Sequence, residues 1–101
     1  MNDLIWIAMV VDDHRGGAEY YGRMTKADFD DVISGKRVDS FVKVDHLTWL
    51  DSENTNQCYK FSEIGKQQGV DYGYGDTAYF HITQITRMIP LRDEFVTSQS
   101  L

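Results

Sequence analysis

The chain opens on an unbroken apolar run, residues 4–11 (Leu-Ile-Trp-Ile-Ala-Met-Val-Val), which stops at Asp12 and Asp13. Its length and β-branched content predict a strand buried on both faces and central in a sheet. His14, Arg15, Gly16 and Gly17 follow, and the glycine pair signals a turn. Residues 18–24 then return as the second strand of a hairpin, in which Gly22 weakens the strand or marks a bulge. A short helix is predicted at residues 26–34. Thr25 can cap its first amides, and Asp28 holds the capping-box position where Glu or Gln is usual. Phe29, Val32 and Ile33 give it one apolar face, and Gly35 provides the stop.

Residues 37–50 read as a strand with a defect. Val38, Ser40, Val42 and Val44 share a face, then Leu47 and Trp49 continue in the opposite phase. Such a slip predicts a bulge or sharp bend near Asp45 and His46. A polar turn occupies residues 51–56. A weaker strand at 57–64 follows, with a short helix through 63–68 as the alternative for its second half. Glycines 65, 69, 73 and 75 interrupt the next loop. Residues 77–91 form the last strong element, again with a phase slip, between Ile82 and Ile85. Pro90 cannot donate to a ladder, so this strand should end or lie at an edge there. Residues 92–101 read as a polar C-terminal tail in which Phe95 and Val96 are the residues able to dock.

Residues 44–50 and 82–88 share an outline: a β-branched residue, two polar residues, Leu or Ile, Thr, a large residue and an apolar one. One recurrence without a fixed period fits two similar amphipathic strands better than a repeat. The matching slips still suit strong curvature. The expected fold is α+β. It is a small curved, mainly antiparallel sheet or partly open barrel of about four to five strands with one short helix, forming a single domain over residues 1–91.

Composition narrows the function classes. The 101 residues fit one domain, and 13% aromatics with 42% apolar residues argue against a disordered chain. The net charge of −6 argues against direct nucleic-acid binding and against an anionic membrane surface, and is compatible with a basic protein partner. One cysteine, Cys58, excludes an internal disulfide framework. The N-terminal apolar run follows Asp3 and is too short to span a bilayer, so a cytoplasmic location is expected.

No catalytic pattern emerges. The three histidines, His14, His46 and His81, have no metal-ligand spacing. Asp12, His14 and His81 would make a metal or catalytic site only if the fold brought them together. Cys58 lies in no basic stretch of sequence that would activate it. Two segments invite binding instead. In His14-Arg15-Gly16-Gly17, glycine amides beside Arg and His could cradle an anion, the cation adding charge; a plain hairpin turn is the alternative. In residues 70–76, Asp71, Tyr72, Tyr74 and Asp76 alternate with glycine. Tyrosine offers broad contact area with few rotatable bonds. Tyr20 and Tyr21 form a second Tyr-rich segment beside Gly22. The expectation is a non-enzymatic, cofactor-free protein-interaction module, a small acidic inhibitor or regulator that binds through these tyrosines. The alternative is a small-molecule-binding domain for a nucleotide or other anion held at residues 14–17. An exposed edge strand could in addition pair two copies.

Overall fold

Strands β1 (Leu4–Asp13) and β2 (Gly16–Thr25) form a hairpin in unbroken register, from Leu4 opposite Thr25 to Asp13 opposite Gly16. The structure, a computed structural model, describes residues 3–13, 16–50, 58–64 and 66–94. Helix α1 (Lys26–Ser34) follows β2 directly, with the Lys26 amide donating to the Asp3 carbonyl at 2.8 Å. Then come β3 (Phe41–Leu50), β4 (Cys58–Lys60), β5 (Ala78–His81) and β6 (Ile85–Pro90). The sheet path is β4-β3-β2-β1-β6, with β5 paired to the first half of β3, and every pairing is antiparallel. The path does not close into a barrel, and the domain has the expected α+β fold, a small antiparallel sheet left open, with one α-helix, α1, among its described elements.

The helix forms where its caps predict. The Thr25 hydroxyl accepts from the Asp28 amide at 3.1 Å, and Gly35 closes the helix in the left-handed region at φ 76°. Only half of the capping box is made. The Asp28 carboxylate turns instead to Arg37, which also donates to the Ser40 hydroxyl and the Phe41 carbonyl. That clamp keeps residues 37–40 out of the sheet, so β3 starts at Phe41 rather than at 37. Phe29 is buried and Val32 packs beside it, while Ile33 is exposed, which narrows the expected helix face.

The core lies on one face of the sheet, where α1 packs against β1 and β2. On that side lie the fully buried Ile7, Met9, Met24, Val42, Val44 and Leu47, with Phe29 and Ile82. Each such side chain contributes about 1.5–3 kcal/mol by leaving water. Strand β1 is central, as its apolar run predicts, but it is not buried on both faces. The alternate residues Trp6, Ala8 and Val10 are half-buried: Arg23 and His46 lie against Trp6, and the Glu19–Arg87 ion pair spans Val10.

Both phase slips are real and differ in form. At Asp45 and His46 the β2–β3 register shifts, and His46 takes a positive φ of 49°. This returns Leu47 to the buried face after Val44. Gly22 makes room for the bend, because a Cβ there would overlap the Val44 side chain. The second slip is a 3-10 turn, Ile82–Gln84. It splits the single strand expected at 77–91 into β5, paired with β3, and β6, paired with β1. Pro90 sits opposite Ile7 on the edge strand, where a missing donor costs nothing. Residues 58–64 are a three-residue strand followed by a 3-10 turn, Phe61–Glu63, with a second such turn at Lys66–Gln68. The polar turn at 51–56 and the tail residues Phe95 and Val96 lie outside the described residues.

Candidate functional site

The loop at residues 70–76 is irregular but anchored. The Asp71 carboxylate accepts from the Gly73 amide at 2.8 Å, closing a tight turn that Gly73 enters at φ 72°. The Asp76 carboxylate accepts from the Ser62 amide at 2.9 Å and the Ser62 hydroxyl at 3.1 Å. The Asp76 carbonyl accepts from the Leu47 amide at 2.9 Å, just past the β3 bend. Asp71 thus shapes a turn within the loop, and Asp76 ties its C-terminal end to Ser62 and Leu47.

Between these two acids Tyr72 and Tyr74 stack, with ring centroids 5.5 Å apart and planes 22° apart, each ring about half exposed. Tyr74 meets Phe61 at 6.3 Å, Phe61 meets Tyr20 at 5.6 Å, and Tyr20 meets Phe80 at 5.6 Å. A row of rings thus runs from the partly buried Phe80 and Tyr20 outward to the exposed stack. Phe61 is the link that the sequence did not single out. Tyr21, next along β2, points to the other side of the sheet and does not join the row.

The other expected cluster is only partly visible. His14 and Arg15 lie outside the described residues. Gly16 opens β2 opposite Asp13, and Gly17 stands opposite Asp12. A Cβ on Gly17 would come 3.3 Å from Val10 Cγ1, so close packing accounts for that glycine without a ligand. His81 is engaged locally, Nδ1 with the Thr83 hydroxyl at 2.7 Å and Nε2 with Asp39 at 3.1 Å. Among the described residues no group of three or more His, Cys, Asp or Glu side chains converges to hold a metal ion. No helix among them is long and apolar enough to cross a membrane.

A further cluster was not legible as a site. Arg23 donates bidentately to Asp45, 2.9 Å to each oxygen, and its guanidinium lies 5.8 Å from the centre of the Trp6 ring. The His46 ring stands edge-on to Trp6 at 5.4 Å, with Nδ1 3.3 Å from Asp45. The hydrogen bonds from Arg23 hold the Asp45 carboxyl below its usual range, against an opposing effect of burial, with His46 adding to the lowering. The same bonds raise Arg23. Asp45 is engaged by Arg23 through both oxygens and by His46 at the β3 bend, so the cluster ties β2 to that bend. Its one signal in the sequence is the phase slip at 45–46. No family model matches the chain, and no curated protein and no solved structure matches it either.

Proposed function

We propose that this domain is a non-enzymatic protein-interaction module, acting in the cytoplasm as a small acidic inhibitor or regulator, and that Tyr72 and Tyr74 are its principal contact. One observation carries the reading: two exposed, stacked tyrosines stand on a loop that Asp76 ties to Ser62 and Leu47, that Asp71 turns locally at Gly73, and that Phe61 backs. A preordered aromatic pair loses little freedom on binding, which is the property that concentrates affinity in a few residues. The net charge of −6 favours a basic partner through steering and charge complementarity. Tyr20 supports the row from within, and Asp71 and Asp76 supply position more than contact.

The test is affinity capture with the full chain from extracts of the cells it comes from. The captured partner is then purified and its Kd measured against wild type and the double variant Tyr72→Ala, Tyr74→Ala. The expected result is a loss of at least about tenfold in affinity, about 1.4 kcal/mol, with unchanged melting. An affinity that survives both substitutions would remove this loop from the contact.

A further inference from the structure

We infer that the outer end of the aromatic row, the Tyr72 ring together with the carboxylate of the preceding Asp71, binds an arginine side chain of the partner protein. This rests on the reading of Tyr72 and Tyr74 as the contact and adds what that contact recognises. The two rings lie 5.5 Å apart and only 22° from parallel, which leaves no room for a group between them. Tyr74 has Phe61 as a further ring neighbour, whereas Tyr72 meets no other ring among the described residues and is 54% exposed. The row therefore ends on a ring with a single stacking partner, and a flat group is what such an end accepts.

Charge decides which flat group. Glu19, Asp28, Asp30 and Asp45 are each paired with a Lys or Arg of the chain itself. Asp71 has no such pair among the described residues. One of its oxygens accepts from the Gly73 amide and shapes the turn, and the other takes no hydrogen bond there. Residues 67–86 contain no Lys or Arg, and the nearest in sequence, Lys60 and Lys66, precede the loop. A base carrying phosphates is repelled by a chain of net charge −6, and a neutral ring leaves the second oxygen of Asp71 unused. A guanidinium uses both features. It is planar and weakly hydrated, so it stacks on an aromatic face, and its N–H groups donate to a carboxylate. A lysine ammonium is a strongly hydrated point charge that gains the attraction without the flat stacking. The chain builds this arrangement once already: Arg23 donates to both oxygens of Asp45 with its guanidinium 5.8 Å from the centre of the Trp6 ring. The Tyr72 loop offers the same two elements, an aromatic face and a carboxylate, without an arginine of its own.

NMR titration of the full chain with two short capped peptides tests this. One alternates glycine with arginine and the other glycine with lysine, at equal length and charge. The arginine peptide should bind about three to five times more tightly, with its largest shifts at the Tyr72 ring and the Gly73 amide. Both affinities should fall as salt is raised from about 50 to about 300 mM, while their ratio persists, because stacking is not screened. Tyr72→Phe should keep the ratio and Tyr72→Ala should bring it to about one. Asp71→Asn, which retains an acceptor for the Gly73 amide, should weaken the arginine peptide by at least about threefold. Equal affinity of the two peptides for wild type overturns the inference, as does no binding of either at about 2 mM. So does a preference for arginine that folded Tyr72→Ala protein keeps. Any of these leaves the contact itself standing if the captured partner still loses affinity on Tyr72→Ala, Tyr74→Ala, so the two failures are told apart.

Discussion

Gly22 lies directly against Val44, at the point where β2 and β3 lose register. A Cβ at position 22 would overlap Val44 Cγ1 and would also come 3.3 Å from the Asp45 carbonyl oxygen. Val44 is fully buried and cannot retreat. Alanine in a strand is ordinarily preferred over glycine, so the sign here is set by packing. Gly22→Ala should destabilise the domain by about 1–3 kcal/mol in urea unfolding. Gly75→Ala is the control, since it has open space and no positive φ, and should be neutral or slightly stabilising. A Gly22→Ala protein as stable as wild type would mean that the bend does not depend on this close approach.

The Arg23–Asp45 pair gives the fold an acid-side dependence whose sign is fixed. The folded-state pKa of Asp45 is lowered, chiefly by the hydrogen bonds from Arg23. An unfolded aspartate titrates at about 3.9. The contribution is therefore complete above that value and is lost as pH falls through the depressed folded-state pKa. With 28% of Arg23 and 26% of Asp45 exposed, solvent screening holds it to about 1 kcal/mol. Asp45→Asn should lower unfolding stability by about that amount at pH 7, and the gap to wild type should close as pH is lowered from about 5 to about 2. A gap that does not change with pH would show that the pair acts by packing alone.

What the sequence revealed was what local chemistry decides. Thr25 and Gly35 delimit the helix because capping depends on residues within one turn. The apolar run of β1 announces a central strand, and the slip at Asp45 and His46 announces the bend. The split of residues 77–91 into two strands was not legible, because a phase slip does not say whether a chain bulges within its sheet or leaves it. Arg23 and Asp45 stand 22 residues apart, and only the hairpin and bulge registers bring them together. The row Tyr20–Phe61–Tyr74 was hidden for the same reason: its members come from β2, a 3-10 turn and a loop. Tyr20 and Tyr21 were indistinguishable by composition, and strand alternation places them on opposite faces.

The helix cap offers a local test. The Thr25 hydroxyl satisfies an amide that has no partner inside the helix, and its backbone still belongs to β2. Thr25→Ala should cost about 1 kcal/mol, whereas Thr25→Ser should cost a few tenths at most. Chemical denaturation of the three proteins separates them. Equal losses for alanine and serine would assign the effect to the γ-methyl group and not to the cap.

Asp76 separates anchoring from contact in the Tyr72–Tyr74 loop. Its carboxylate takes both hydrogens offered by Ser62, while its backbone carbonyl takes the Leu47 amide. Asp76→Ala removes the first two bonds and leaves the third available, at an expected cost of about 1–2 kcal/mol. The Ser62 amide should then exchange with solvent faster by at least about tenfold, the tyrosine stack should lose its fixed geometry, and the Leu47 amide should keep more of its protection. Tyr72→Ala and Tyr74→Ala should do the reverse, leaving stability within about 0.5 kcal/mol because both rings are exposed. Native-state hydrogen exchange on the three variants reads each difference directly. If either tyrosine variant unfolds the domain while Asp76→Ala does not, the stack belongs to the core and is not held ready for a partner.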